Sequence, residues 1–228
     1  MSSTPLSYAS AKAAMTLKSD TTPVTIKVNK PRGTIYWGGA GLNGSYIADQ
    51  VASLQEAGIR HVFVGKRSYG ILVDVGRSAL TVRYRDSPVD EDWQIVGMED
   101  NPSPQFNMIG YSYGSLLAAQ TANFYAHNGH VVDHLVLVGS PIDREFLAYL
   151  RSHSNIKKVI IKDLKEHGDP VFAGISKPRL VFNAGKLTRQ MLKSDVTGIG
   201  HFYYAGSSKE SGRRRRELAQ LIYRQGLK

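Results

Sequence analysis

The sequence predicts an α/β domain, a mostly parallel central sheet with helices on both faces. Three observations predict it. Short apolar runs alternate with helical patterns along most of the chain, the order that builds parallel crossovers. The strongest runs, Gly33 to Trp37 and Phe106 to Gly110, lead straight into glycine-containing turns, where strands hand over to helices. The 228 residues, 42% hydrophobic and 21% charged, suit one large domain with a core of its own.

The elements follow in order. Val24 to Val28 alternates and reads as an outer strand. Gly33 to Trp37, β-branched and aromatic, reads as a buried strand. Gly38-Gly39-Ala40-Gly41 is a loop that glycines make easily. Tyr46 to Ala57 reads as a helix with Ile47, Val51 and Leu54 on one face and Gly58 as its stop. His61 to Val64 is the next strand. Between Lys66 and Gln105, Ile71 to Val75 and Leu80 to Tyr84 suit a hairpin, and Ser87 to Pro104 is mostly loop. Regular alternation then resumes: strand Phe106 to Gly110, helix Gly114 to His127, strand His134 to Gly139, helix Glu145 to Leu150, strand Lys158 to Lys162. Arg179 to Phe182 and Met191 to Val196 read as late strands, and a closing helix runs from about Gly212 to Tyr223. Residues 1–23, rich in Ser, Thr and Ala, form an arm, flexible or packed on the domain; residues 24–228 form that domain.

Composition excludes several functions. There is no cysteine, which removes disulfide scaffolds, thiol catalysis and Cys-based metal sites. No apolar run approaches the roughly 20 residues of a spanning helix. The N-terminus lacks the charged and apolar regions of a Sec signal. The expected location is the cytoplasm, or outside the cell by a route without a classical signal. Net charge is +10, which favours an anionic membrane surface or an acidic protein partner. Arg213-Arg214-Arg215-Arg216 precedes Leu218, Leu221 and Ile222, so the closing helix has a basic start and an apolar side. Those arginines read either as a solvated face or as a contact for lipid phosphate or an acidic partner.

Gly110-Tyr111-Ser112-Tyr113-Gly114 carries the chemistry. With 22 glycines in the chain, the G-x-S-x-G string alone is a weak signal. Its position at a strand-to-helix junction is what the nucleophile elbow requires. There the hydroxyl of Ser112 projects above the sheet edge, and the helix N-terminus faces developing negative charge.

A serine needs a base. Of the seven histidines, His201, in the glycine-rich loop Thr197 to Phe202, is placed to reach it; His167 is the runner-up. A carboxylate must orient the imidazole. Asp169, in Gly168-Asp169-Pro170-Val171, is preferred, and Asp163 at the end of its strand is the alternative. Two amides must hold an oxyanion. They are expected from Tyr113 and from the Trp37 to Gly41 loop, at Gly39 first and Ala40 second. That loop lacks the spacing of a dinucleotide or P-loop site.

Together, GYSYG, WGGAG, GDPV and GIGHF resemble the α/β-hydrolase superfamily, over roughly Val24 to Tyr223. The resemblance implies a serine hydrolase working through an acyl-enzyme, with Ser112, Asp169 and His201 as triad and no metal or organic cofactor. In small size and glycine loop the chain is loosely similar to lipase-like bacterial hydrolases, including signal-less lipase effectors. Many family members carry a helical cap after the strand that follows the nucleophile helix; Gly139 to Lys157 is too short for one. The site should be open, or covered only by Lys66 to Gln105 or Ala184 to Lys193, with Tyr111, Phe202 and Tyr203 against the substrate.

The expected function is hydrolysis of a carboxylic ester, by a lipase, phospholipase or esterase acting on a small-molecule or lipid ester. A thioesterase or acyltransferase would use the same machinery. A catalytically silent binding protein on the same fold is the reading from another class. Nucleic acid is not an expected partner, because no dense basic stripe with interleaved aromatics occurs.

Overall fold

The computed structural model describes residues 30–40, 44–65, 101–193 and 198–228. The arm, the outer strand at Val24 to Val28 and the hairpin expected within 66–100 lie outside the described residues. Among the described residues five strands form one sheet: β1 (Gly33–Trp37), β2 (Val62–Gly65), β3 (Phe106–Tyr111), β4 (His134–Val138) and β5 (Val159–Lys162). Their spatial order is β2-β1-β3-β4-β5, and every pairing is parallel. Among the described residues five helices accompany them: α1 (Tyr46–Glu56), α2 (Tyr113–His127), α3 (Arg144–Ser152), α4 (Lys177–Lys193) and α5 (Lys209–Arg224).

Alternation along the strands divides the core into two layers. Ile35, Trp37, Phe106, Met108, Leu135 and Leu137 pack on one face with α2 and with Phe146, Leu147 and Leu150 of α3. Tyr36, Ile109, Tyr111, Val136 and Val138 face the other side, against α1 and α5. Only α3, nine residues long, lies between β4 and β5.

Sheet order places the site. β1 connects outward to β2 on one side, and β3 outward to β4 on the other. The crevice between the C-terminal ends of β1 and β3 is therefore the topological switch point, where ligands bind in open α/β sheets. The glycine loop leaves β1 and Ser112 leaves β3 at this crevice.

Three expectations need correction. The runs Arg179 to Phe182 and Met191 to Lys193 are helical, within α4; residues 194–197 lie outside the described residues. Here the 3.6-residue period outweighs the local Leu-Val-Phe: Leu180 and Asn183 are buried, and Leu187 and Gln190 continue the same face. The last described element before the His201 loop is thus a helix. The closing helix begins at Lys209, earlier than expected, because Ser208 caps it by accepting the Ser211 amide. Glu210 occupies its first turn, so the arginines start beyond the dipole's positive end. On its apolar side Leu218 and Ile222 are buried with Ala219, whereas Leu221 is exposed.

Candidate active site

The elbow rests on close backbone approach. A Cβ at Gly110 would overlap Ser115 and the Gly114 carbonyl, and one at Gly114 would overlap the carbonyls of Trp37 and Gly38. Without those atoms β3 turns into α2 at a single residue. Ser112 takes φ 56° and ψ −126°, a region that costs an L-residue about 1–3 kcal/mol. Its amide donates to the Val138 carbonyl at 2.8 Å, and its carbonyl accepts the Ser115 amide at 3.0 Å. The strained residue is thereby anchored to β4 and to the first turn of α2.

Ser112 Oγ lies 2.6 Å from His201 Nε2. His201 Nδ1 lies 2.8 Å from Asp169 Oδ2. A carboxylate only accepts, so the imidazole proton sits on Nδ1 and Nε2 is left to accept from the serine hydroxyl. The Asp169 side chain is fully buried and that of His201 is 7% exposed. The second oxygen of Asp169 accepts the Val171 amide at 2.8 Å, which fixes the carboxylate in its turn. Asp163 instead accepts the Ala173 amide at 3.0 Å. His167 stacks flat on Tyr203, centroids 3.6 Å apart, and its Nε2 lies 3.4 Å from Glu166. Of the alternatives weighed in the sequence, the structure brings Asp169 and His201 to Ser112.

The three aromatics expected at the substrate hold different places. Tyr111 is buried, donates its hydroxyl to the His201 carbonyl and stacks on the His201 ring. Burial holds its phenol well above the ordinary tyrosine value. Phe202 is half-buried and edge-on to His201. Tyr203 lies between His167 and the Arg214 guanidinium, which is 4.1 Å from its ring.

Tyr113 opens α2 beside the nucleophile. Gly39 packs against it too: a Cβ there would meet Ser112 Cβ at 3.5 Å. The Gly39 amide donates to the Tyr46 hydroxyl at 2.7 Å. Burial pushes the Tyr46 phenol up to about 12, against the pull of that amide.

Sequence reasoning missed several supporting residues. Gln190 of α4 accepts the His201 amide at 2.9 Å and donates to the Gly168 carbonyl at 2.8 Å, so one side chain ties the histidine loop to the aspartate loop. Arg214 donates to the carbonyls of Gly198 and Tyr203, and Arg215 to those of Tyr204 and Gly206. Two of the four arginines therefore hold the loop that carries His201. Gly139 lies against the array; a Cβ there would stand 3.3 Å from Asp169 Oδ2 and 3.6 Å from His201 Cε1. No pattern in the sequence marks Gln190 or Gly139.

Among the described residues, no group of three or more His, Asp or Glu side chains could hold a metal ion, and no helix is long and apolar enough to cross a membrane.

A family model described as alpha/beta hydrolase fold matches residues 74–182. The matched stretch contains Ser112 and Asp169 and ends before His201. No curated protein and no solved structure matches the chain. The parallel sheet in this order, the strained serine at its switch point and that family match give the chain the α/β-hydrolase fold and support its membership of that superfamily.

Proposed function

We propose that the protein is a serine hydrolase that cleaves carboxylic esters through an acyl-enzyme. One observation carries the reading: a strained serine whose Oγ is 2.6 Å from an imidazole nitrogen, with a buried carboxylate on the opposite nitrogen. A serine hydroxyl is inert at its own pKa and becomes a nucleophile when a base takes its proton. Ser112 Oγ attacks the ester carbonyl carbon while His201 Nε2 accepts the hydroxyl proton. Asp169 holds the imidazole in the required tautomer and stabilises the imidazolium. The carbonyl oxygen becomes an oxyanion, received by the amides of Tyr113 and Gly39. An oxygen 2.7 Å from the Gly39 amide, now that of Tyr46, lies at the distance such a donor needs. The intermediate collapses, and the leaving alcohol takes the proton from Nε2. Water then attacks the acyl-enzyme, giving its proton to His201, and the acid leaves as Ser112 regains its hydrogen. The substrate is a small-molecule or lipid ester.

The test is turnover of p-nitrophenyl esters of increasing chain length beside matched acyl thioesters. Wild type should cleave the esters preferentially, and Ser112→Ala should lower kcat by at least roughly three orders of magnitude. Failure of folded wild type on every acyl donor, or undiminished turnover by Ser112→Ala, would overturn the reading. Preference for the thioesters would move the protein to thioester hydrolysis.

A further inference from the structure

The four consecutive arginines are used unequally. Arg213 lies on the outer face of α5 and pairs with Glu210 and Glu217. Arg214 and Arg215 hold the histidine loop, and Arg215, itself buried, also binds Asp49. Arg216 has no carboxylate partner among the described residues. Neither has Lys209, seven residues earlier on the same face of the helix.

Both cations line an open cavity of about 480 Å³, walled also by Ser45, Tyr46 and Ser208. The cavity lies between the first turns of α1 and α5, so the positive ends of two helix dipoles border it. Among the described residues Asp49 is the one carboxylate in its wall, and Arg215 is bound to it. With that pair matched, Lys209 and Arg216 are the lining charges left without a carboxylate among the described residues. Two unpaired cations, hydroxyls and helix N-termini together form an environment suited to a phosphate.

Tyr46 links this cavity to the surroundings of the nucleophile. Tyr46 forms part of its wall, and the Tyr46 hydroxyl touches the Gly39 amide. A Cβ at Gly39 would meet that hydroxyl at 3.1 Å and Ser112 Cβ at 3.5 Å. Tyr46 therefore belongs both to the cavity wall and to the glycine loop packed beside Ser112.

We propose that the cavity receives a phosphate group carried by the ester substrate, bound between Lys209 and Arg216 while the ester lies at Ser112. The proposal rests on Ser112 being the hydrolytic nucleophile, and it narrows the substrate to phosphate-bearing esters. Its volume falls in the range of small-molecule sites, which leaves room for the group that links phosphate to ester.

The test separates phosphate binding from catalysis. Hexanoyl glycerol phosphate, hexanoyl glycerol and inorganic phosphate are titrated calorimetrically into the Ser112→Ala protein, which cannot turn them over. The phosphate-bearing ester should bind saturably and at least about tenfold more tightly than either of the others. Adding Lys209→Ala and Arg216→Ala should weaken it about tenfold or more, the loss expected of charge-assisted hydrogen bonds. Arg216→Glu should weaken it further. Both residues are exposed, so the fold should survive, and a thermal melt checks this. Equal binding of the neutral ester, or binding unchanged by these substitutions, overturns the proposal. Inorganic phosphate binding as tightly as the phosphate-bearing ester marks a free-anion site and overturns the substrate role. The hydrolase reading fails separately, when wild type does not react with a fluorophosphonate.

Discussion

The amide of Gly39 is held by the hydroxyl of Tyr46 at 2.7 Å. An ester's carbonyl oxygen must displace that hydroxyl to use the same donor. Tyr46→Phe removes the internal competitor and keeps the ring, which meets Tyr111 edge-on with centroids 5.7 Å apart. The expected result is an increase of severalfold in kcat/KM for a short ester. A fall of about tenfold or more would show that the hydroxyl itself stabilises the transition state.

Gln190 is a positioning residue, because it holds His201 through the backbone amide. Gln190→Ala should lower kcat about tenfold and leave KM within about twofold, since the interaction bears on the chemical step. Gln190→Glu keeps the acceptor for the His201 amide and loses the donor to Gly168, so it should retain more of kcat than Ala does. Equal losses in the two variants would assign Gln190 to packing alone.

Arg215 joins α5 to α1 and to the histidine loop. It is 4% exposed and serves two carbonyls and the Asp49 carboxylate. Arg215→Ala leaves those carbonyls without their donor and should cost about 3 kcal/mol in urea unfolding. Arg213→Ala, whose ion pairs are exposed, should leave the urea midpoint nearly unchanged. Similar losses from the two would contradict the division of labour within the arginine run.

Stability should fall on mild acidification. Burial holds His134 below its ordinary 6.5, with Asp133 opposing and Lys158 and Lys157 reinforcing. Burial also lowers His61 and His130. A lowered histidine pKa means that the unfolded chain binds protons first. The contribution is therefore full above 6.5 and is lost as pH falls through the lower folded value. The urea midpoint should decline as pH falls below 6.5, and His134→Gln should flatten that decline. A midpoint that rises on acidification would contradict it.

Much of the site is legible in the sequence because its constraints are local. The elbow glycines at Gly110 and Gly114 and the loops around Asp169 and His201 each stand in a short recognisable string. The strands that hold them were equally plain, since β1, β3 and β4 are buried on both faces and read as continuous apolar runs. What escaped depends on distance in the chain. Gln190 acts across α4, whose Leu-Val-Phe run looks like a strand until its buried face is seen as helical. Arg214 and Arg215 look like solvated charge, and only tertiary contact turns them inward. Tyr46 reads as the first residue of a helix, and nothing nearby shows its hydroxyl resting on Gly39.

The central claim is that Ser112 is an activated nucleophile. Labelling with a fluorophosphonate, followed by mass spectrometry of the modified peptide, tests it most directly. Wild type should be modified at Ser112, Ser112→Ala should not be labelled, and His201→Ala should react far more slowly. A folded wild type that stays unlabelled, or a label that persists in Ser112→Ala, would contradict the account.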